Sequence, residues 1–182
     1  MDDLPDQLIA LEKEKDRLYC LYSYQLLDSE IAPELEELNH LAASICEVPV
    51  SLIVLLDKDR QWFKSKYGWD KSETERCFSF CHYTILEENA VMEIQNALSD
   101  KRFKSNPLVL GDPNIRFYCG APLVNPEGYR LGSLCVIDQK IRKLTNSQKE
   151  ALVVLSKQVV THFELHKKSY CWRIKKEIWK SK

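Results

Sequence analysis

Residues 115–124, IRFYCGAPLV, and 130–137, RLGSLCVI, enclose Asn125-Pro126-Glu127-Gly128-Tyr129, and this stretch decides the fold. Pro126 presets φ and Gly128 supplies a turn position with φ > 0, so two β-rich runs flanking them predict a hairpin. Strict alternation sends Ile115, Phe117, Cys119, Ala121 and Leu123 to one face and Arg116, Tyr118, Gly120 and Val124 to the other. A connection of odd length, such as 125–129, places Cys119 opposite Cys135. An even one pairs residue 119 with 134 and puts the two thiols on opposite faces. Even opposed, they read as reduced core thiols and not as a disulfide.

Upstream, Ser51-Leu52-Ile53-Val54-Leu55-Leu56 and Gln61-Trp62-Phe63-Lys64-Ser65-Lys66-Tyr67 flank Asp57-Lys58-Asp59-Arg60 as a second hairpin. Before it, Leu8, Leu11, Leu18, Leu21, Tyr22 and Leu26 recur at helical spacing and predict an amphipathic helix over 6–27. Pro33 opens another helix through Leu35, Leu38, Leu41, Ala42, Ile45 and Cys46. The polar stretch from Gly68 to Arg76 leads to a short helix over Ser79–Leu86 and a strand at Val91–Ile94. Residues 96–114 read as a long loop with one helical turn, broken by Pro107, Gly111 and Pro113.

Downstream, Thr145 is an N-cap with Gln148 as its capping-box partner, and Leu152, Leu155, Val159, Val160 and Phe163 form an apolar stripe. No Gly or Pro follows residue 132, so this helix runs to the end of the chain, about 55 Å at 1.5 Å per residue. The order of elements describes an antiparallel sheet with terminal helices on one face. No βαβ alternation with glycine-rich turns is present, which excludes a Rossmann unit or P-loop.

The 182 residues carry a net charge of −1, the average of two unlike parts. Residues 166–182 (HKKSYCWRIKKEIWKSK) hold seven Lys/Arg against one Glu, net +6, which leaves −7 on residues 1–165. The near-neutral total argues against a nucleic-acid binder. The amino terminus lacks a secretory signal and no run reaches the ~20 apolar residues of a membrane span, so the expected location is cytoplasmic. Seven cysteines, at 20, 46, 77, 81, 119, 135 and 171, do not fall at structural zinc spacings, and no metal is expected.

Over about 120 residues the sequence resembles the GAF domain of the bacterial sensor type, found at the front of sensor histidine kinases and cyclic-di-nucleotide signalling enzymes. The matching motifs are Arg60-Gln61-Trp62-Phe63-Lys64-Ser65, Glu73-Thr74 with Arg76, and Ser79-Phe80-Cys81 with Ile85-Leu86. They continue with Asp100, Arg102-Phe103, Asn106-Pro107, Gly111, Pro113, Ile115-Arg116-Phe117-Tyr118, Gly120-Ala121-Pro122-Leu123, Gly128, Leu131-Gly132 and Leu134-Cys135-Val136-Ile137-Asp138. The resemblance implies an α+β fold: a six-stranded antiparallel sheet, terminal helices packed on one face and pairing in a homodimer, and a loop-covered small-molecule pocket on the other. One departure concerns Tyr83, which stands where relatives of this type carry a histidine.

The ligand-binding positions it implies are Phe63, Phe80, Cys81, His82, Arg102, Phe103, Arg116 and Tyr118, the arginines gripping an anion and the aromatics walling it. The plainer reading of Arg102 and Arg116 is that they pair with Asp100, Asp112 or Asp138 to tie the long loop to the sheet. The expected function is a non-catalytic sensor with an unidentified ligand and no assigned cofactor, acting on an output domain or signalling partner. Two alternatives come from other classes: a free methionine sulfoxide reductase using Cys77, Cys81 and Cys119, and a bilin photosensor using Cys81-His82. No kinase acceptor box or cyclase motif is present.

The chain divides into an amino-terminal helix (1–27), a sensor domain (28–165) and a basic aromatic extension (166–182). In the extension Tyr170, Cys171, Trp172, Ile174, Ile178 and Trp179 form an apolar arc opposed by Lys/Arg. A heptad register through Leu152, Leu155 and Val159 fails at His162 and His166. Dimer pairing is the first expectation for this segment, and contact of the basic tail with an anionic membrane the second.

Overall fold

The computed structural model describes the backbone of residues 3–30 and 32–180, and side chains from residue 10 except those of 31, 178 and 180. Leu8 and the Ile178 side chain, counted above in apolar stripes, lie outside the described residues. In chain order the elements are α1 (Asp3–Ser23), α2 (Pro33–Cys46), β1 (Val50–Leu56), β2 (Arg60–Tyr67), β3 (Glu73–Glu75), α3 (Phe80–Thr84), β4 (Met92–Ile94), α4 (Pro107–Leu110), β5 (Phe117–Val124), β6 (Arg130–Asp138) and α5 (Asn146–Lys180). The strands form one antiparallel sheet in the order β3-β2-β1-β6-β5-β4. This is the six-stranded α+β arrangement that the resemblance implies.

From Leu52 to Leu56 β1 is an unbroken apolar run because both faces of the sheet are covered. Ile53 and Leu55 face α1, α2 and α5 together with Phe117, Cys119, Ala121, Leu123, Leu134 and Val136. Leu52, Val54 and Leu56 face the other way, toward α3, α4 and the 95–116 segment, with Phe63, Tyr118, Cys135 and Ile137. Polar pins fix the helix layer. Asn39 of α2 donates to the Ser51 carbonyl (3.0 Å) and the Ser65 hydroxyl (3.2 Å) and accepts from Ser51 (2.6 Å), all buried. The buried Lys64 ammonium donates to Ser29 Oγ (2.7 Å) and the Glu30 carbonyl, holding the α1–α2 connection.

Four expectations change. The helix over 6–27 ends at Ser23, because Gln25 and Asp28 adopt left-handed φ of 53° and 54°. The turns so formed deliver Tyr24 and Leu26 into the core. The polar stretch contains a strand, β3, paired to β2 through Arg60↔Glu75, Gln61↔Thr74 and Trp62↔Glu73. Ile115 precedes β5 and joins the α3–α4 side with Tyr118, not the helix side with Phe117.

The register of the β5–β6 hairpin is the fourth change. Val124 pairs with Arg130, as an odd loop requires, but Leu123 pairs with Gly132, so Leu131 is an inserted residue. Beyond this bulge Cys119 pairs with Val136 and Gly120 with Cys135, which separates the two thiols onto opposite faces. The insertion also lets Leu131 share the helix-side core with Leu134 and Val136.

Thr145 caps α5 as anticipated: its Oγ1 accepts from the Gln148 amide (3.2 Å), and the Thr145 amide donates to the Gln148 side chain (3.0 Å). Substituting Thr145→Ala is expected to lower the unfolding free energy by about 1 kcal/mol in urea titration, with the m-value unchanged.

Candidate functional site

The face of the sheet away from the long helices is covered by α3, α4 and the loop between β4 and β5. Each part of the cover is tied by polar groups. Ser79 caps α3, accepting from the His82 amide (3.1 Å) while its hydroxyl donates to Gln61 of β2 (2.6 Å). Asn106 caps α4, accepting from the Leu108 amide (2.9 Å), and its side-chain amide donates to the Phe78 carbonyl (2.9 Å). Below them Tyr118 lies across Gly120: a Cβ at Gly120 would sit 2.2 Å from the Tyr118 hydroxyl. Only glycine two residues on lets that ring cross the strand and reach Thr84, 2.7 Å away.

Four of the eight positions implied by the resemblance meet here. Phe63, Phe80, Cys81 and Tyr118 line an inner cavity of about 20 Å³ with Leu52, Gln61, Trp69, Leu108, Ile115, Cys135 and Ile137, room for about one water molecule. Phe103 is fully buried one layer further out, stacked on Phe80 at 3.9 Å between ring centroids. A second cleft of about 180 Å³, shared through Trp69, Ile115 and Ile137, leads outward past Pro49, Gly68, Pro113 and Asp138. Trp69 was not singled out from the sequence, although a lone indole in the polar stretch from Gly68 to Arg76 was the available signal. Its ring meets Phe63 edge-on at 6.2 Å, and its buried indole nitrogen has no hydrogen-bond partner among the described residues.

Arg102, Arg116 and His82 are placed elsewhere. Arg102 pairs with Asp100 (2.9 Å) and Glu87 (3.2 Å) and lies over the Tyr83 and Phe103 rings, riveting the loop to α3. Arg116 donates to the Val109 carbonyl (2.8 Å), tying α4 to β5. His82 points away from the cavity toward Arg76, with Nδ1 3.4 Å from the guanidinium. It borders an open cleft with Lys58, Glu75 and Cys77. Burial, and then the neighbouring Arg76 charge, lower its pKa and favour neutral imidazole.

Arg76 also joins this side of the domain to α1. It donates to Glu14 (2.6 Å) and to the Asp57 carbonyl (2.9 Å), and Glu14 is held in turn by Arg17 (2.7 Å). Burial pushes the Glu14 carboxyl up, but the hydrogen bonds and charges of Arg17 and Arg76 outweigh it and bring its pKa from an ordinary 4.5 to about 2.

The family model for the GAF domain matches residues 24–163. The chain belongs to the GAF family. A cyclic di-GMP phosphodiesterase of Pseudomonas aeruginosa is 44% identical over 131 residues, 72% of this chain but 22% of that protein. The chain therefore spans about a fifth of the length of this curated relative, and the match is confined to that part. Among solved structures, the GAF domain of an Acinetobacter phosphoenolpyruvate-protein phosphotransferase superposes with a TM-score of 0.62 at 17% identity, covering 86% of this chain and 93% of that one. A far-red cyanobacteriochrome photoreceptor gives 0.61 at 13% identity, covering 91% and 99%. At these identities the structural likeness shows the GAF fold alone.

The residues named for the two alternative chemistries are not brought together in this structure. Cys119 lies in the helix-side core, its thiol pushed up to about 12 by burial, while Cys81 faces the inner cavity and Cys77 is exposed. The trio needed by a reductase is thus divided among three environments. Cys81 points inward and His82 outward, and the inner cavity has no room for a tetrapyrrole in this conformation.

Two outcomes follow from this geometry. Because the Glu14 carboxyl is depressed in the folded state, its stabilisation is complete above about pH 4.5 and is lost as pH falls toward 2. Glu14→Gln should therefore flatten the slope of unfolding free energy against pH in that window. Gly120→Ala should displace the Tyr118 ring and lower stability by about 1–3 kcal/mol, measured by urea unfolding.

Proposed function

We propose that this GAF domain is the sensory part of a bacterial signalling system, itself non-catalytic, cytoplasmic, and paired with a second copy through its terminal helices. The observation that carries the reading is α5. Its first half packs on the sheet through Leu152, Leu155, Val159 and Phe163, whereas beyond His166 it leaves Trp172 (63% exposed), Ile174 (40%) and Trp179 (80%) unburied in the single chain. Leu11 and Tyr19 of α1 are exposed as well. Apolar aromatics spaced along a basic helix favour a helical partner over open solvent. The identity to the phosphodiesterase supports an output in cyclic-di-GMP turnover, performed by a catalytic partner.

In this reading a small molecule enters by the outer cleft and displaces Trp69 and the α3–α4 cover, since the inner cavity alone holds no more than about one water. The cover meets α1 through Arg76–Glu14, and α5 lies across the far face of the same strands. Occupancy can bias the helices only through a difference in affinity between open and closed arrangements.

Sedimentation equilibrium at tens of micromolar tests the pairing. The account expects a dimer whose dissociation constant rises at least about tenfold in Trp172→Glu/Trp179→Glu, surface changes that leave the folded monomer intact. A monomer at every concentration, or a dimer indifferent to the substitution, overturns it.

A further inference from the structure

Cys81 of α3 and Cys135 of β6 approach with their sulfurs 3.8 Å apart, both fully buried, although 54 residues separate them in sequence. They are the only two of the seven cysteines whose sulfurs meet among the described residues. One hydroxyl is aimed at Cys81. The Tyr118 hydroxyl donates to its sulfur at 3.4 Å and is itself hydrogen-bonded to Thr84 (2.7 Å). Ser133, wholly buried on the same face of β6, has a hydroxyl with no hydrogen-bond partner among the described residues. The water-sized inner cavity is lined by both cysteines and shares Trp69, Ile115 and Ile137 with the outer cleft.

We infer that Cys81 and Cys135 form an oxidant-sensitive dithiol, closed to a disulfide by a small hydroperoxide that enters along the ligand path. In the first step the Cys81 thiolate attacks one peroxide oxygen. A sulfur–oxygen bond forms, the oxygen–oxygen bond breaks, and the departing hydroxide or alkoxide takes a proton and leaves as water or alcohol. In the second step the Cys135 sulfur attacks the sulfenic sulfur. The sulfur–sulfur bond forms, the sulfur–oxygen bond breaks, and hydroxide leaves with the Cys135 proton as water. Two electrons pass from the thiols to one peroxide, and a thiol reductant reverses the change.

Cys81 is the attacking group. Burial opposes its ionisation, but the polar groups around it, the Cys135 thiol and the Ser133, Tyr118 and Ser79 hydroxyls, outweigh burial and place it below the ordinary thiol value, while burial and the neighbouring Cys81 push Cys135 well above it. Bringing the sulfurs to bonding distance asks α3 to approach β6 by about 2 Å. The cross-link then fastens the cover of the pocket to the central strand, so that oxidation locks it shut. This goes beyond the ligand-binding reading and stands without it, because the bond forms whether or not a metabolite also enters.

The experiment uses the full chain carrying Cys77→Ser and Cys171→Ser, which removes the two exposed thiols. After treatment with a few equivalents of hydrogen peroxide, the protein is denatured, alkylated, digested and analysed by mass spectrometry. The expected result is an intact mass about 2 Da lower before alkylation, and after digestion a cross-linked peptide containing residues 81 and 135 that dithiothreitol dissolves. In the Cys135→Ala variant a 1,3-dicarbonyl reagent should label Cys81, and in Cys81→Ala it should label nothing. Full alkylation of all remaining cysteines after peroxide, or a cross-link through Cys20, Cys46 or Cys119 instead, overturns the inference. The mapping of the cross-link needs no pocket variant and decides the matter even if those substitutions unfold the domain.

Discussion

The two central strands, β1 and β6, are buried on both faces, and everything else in the molecule answers that constraint. A sheet with one wet face would need only the terminal helices. Here Leu52, Val54, Leu56, Cys135 and Ile137 also need cover, at about 1.5–3 kcal/mol for each large aliphatic side chain hidden from water. α3, α4 and the long loop between β4 and β5 supply it. The pocket therefore exists because short, irregular pieces are asked to cover a face that long helices cover on the opposite side.

The two layers are held in different ways. On the helix side Leu152, Leu155, Val159 and Phe163 of α5 interlock with α2 and β5 over several turns. On the other side single residues carry each fastening: Ser79 to Gln61, Asn106 to Phe78, Arg102 to Glu87, Arg116 to Val109. A layer assembled from separate polar ties can open locally while the sheet stays intact. Arg76 makes such an opening matter at a distance, because it contacts Glu14 of α1 and stands beside His82 of α3. Cys81 and Cys135 meet across the same joint between cover and sheet.

Where hydrophobic period and turn chemistry act alone, the sequence was legible. Pro33 opening α2, the Thr145–Gln148 box and both hairpins stand where the residues put them. The misreadings have a common cause in tertiary pairing that no local pattern encodes. β3 is a three-residue edge strand of Glu, Thr and Glu, recognisable only through its partner β2. The Leu131 bulge shifts the hairpin by one residue and with it the faces of Cys119 and Cys135, a difference invisible to loop length. The early end of α1 depends on left-handed Gln25, a residue with no particular preference for that conformation.

The pocket was half legible for the same reason. Phe63, Phe80, Cys81 and Tyr118 alternate or cap in ways that turn them inward, and they arrive together. Arg102 and Arg116 carry the same charge whether they grip a ligand or fasten a loop, and only the positions of Glu87, Asp100 and the Val109 carbonyl distinguish the two uses. The central claim is that the cover over the pocket opens as a unit less stable than the sheet it protects. Native-state amide hydrogen exchange tests it most directly. The account predicts that amides of α3, α4 and residues 96–114 exchange by local opening, with free energies well below those of β1, β6 and the first half of α5. Equal protection across both layers, lost only with global unfolding, would contradict it.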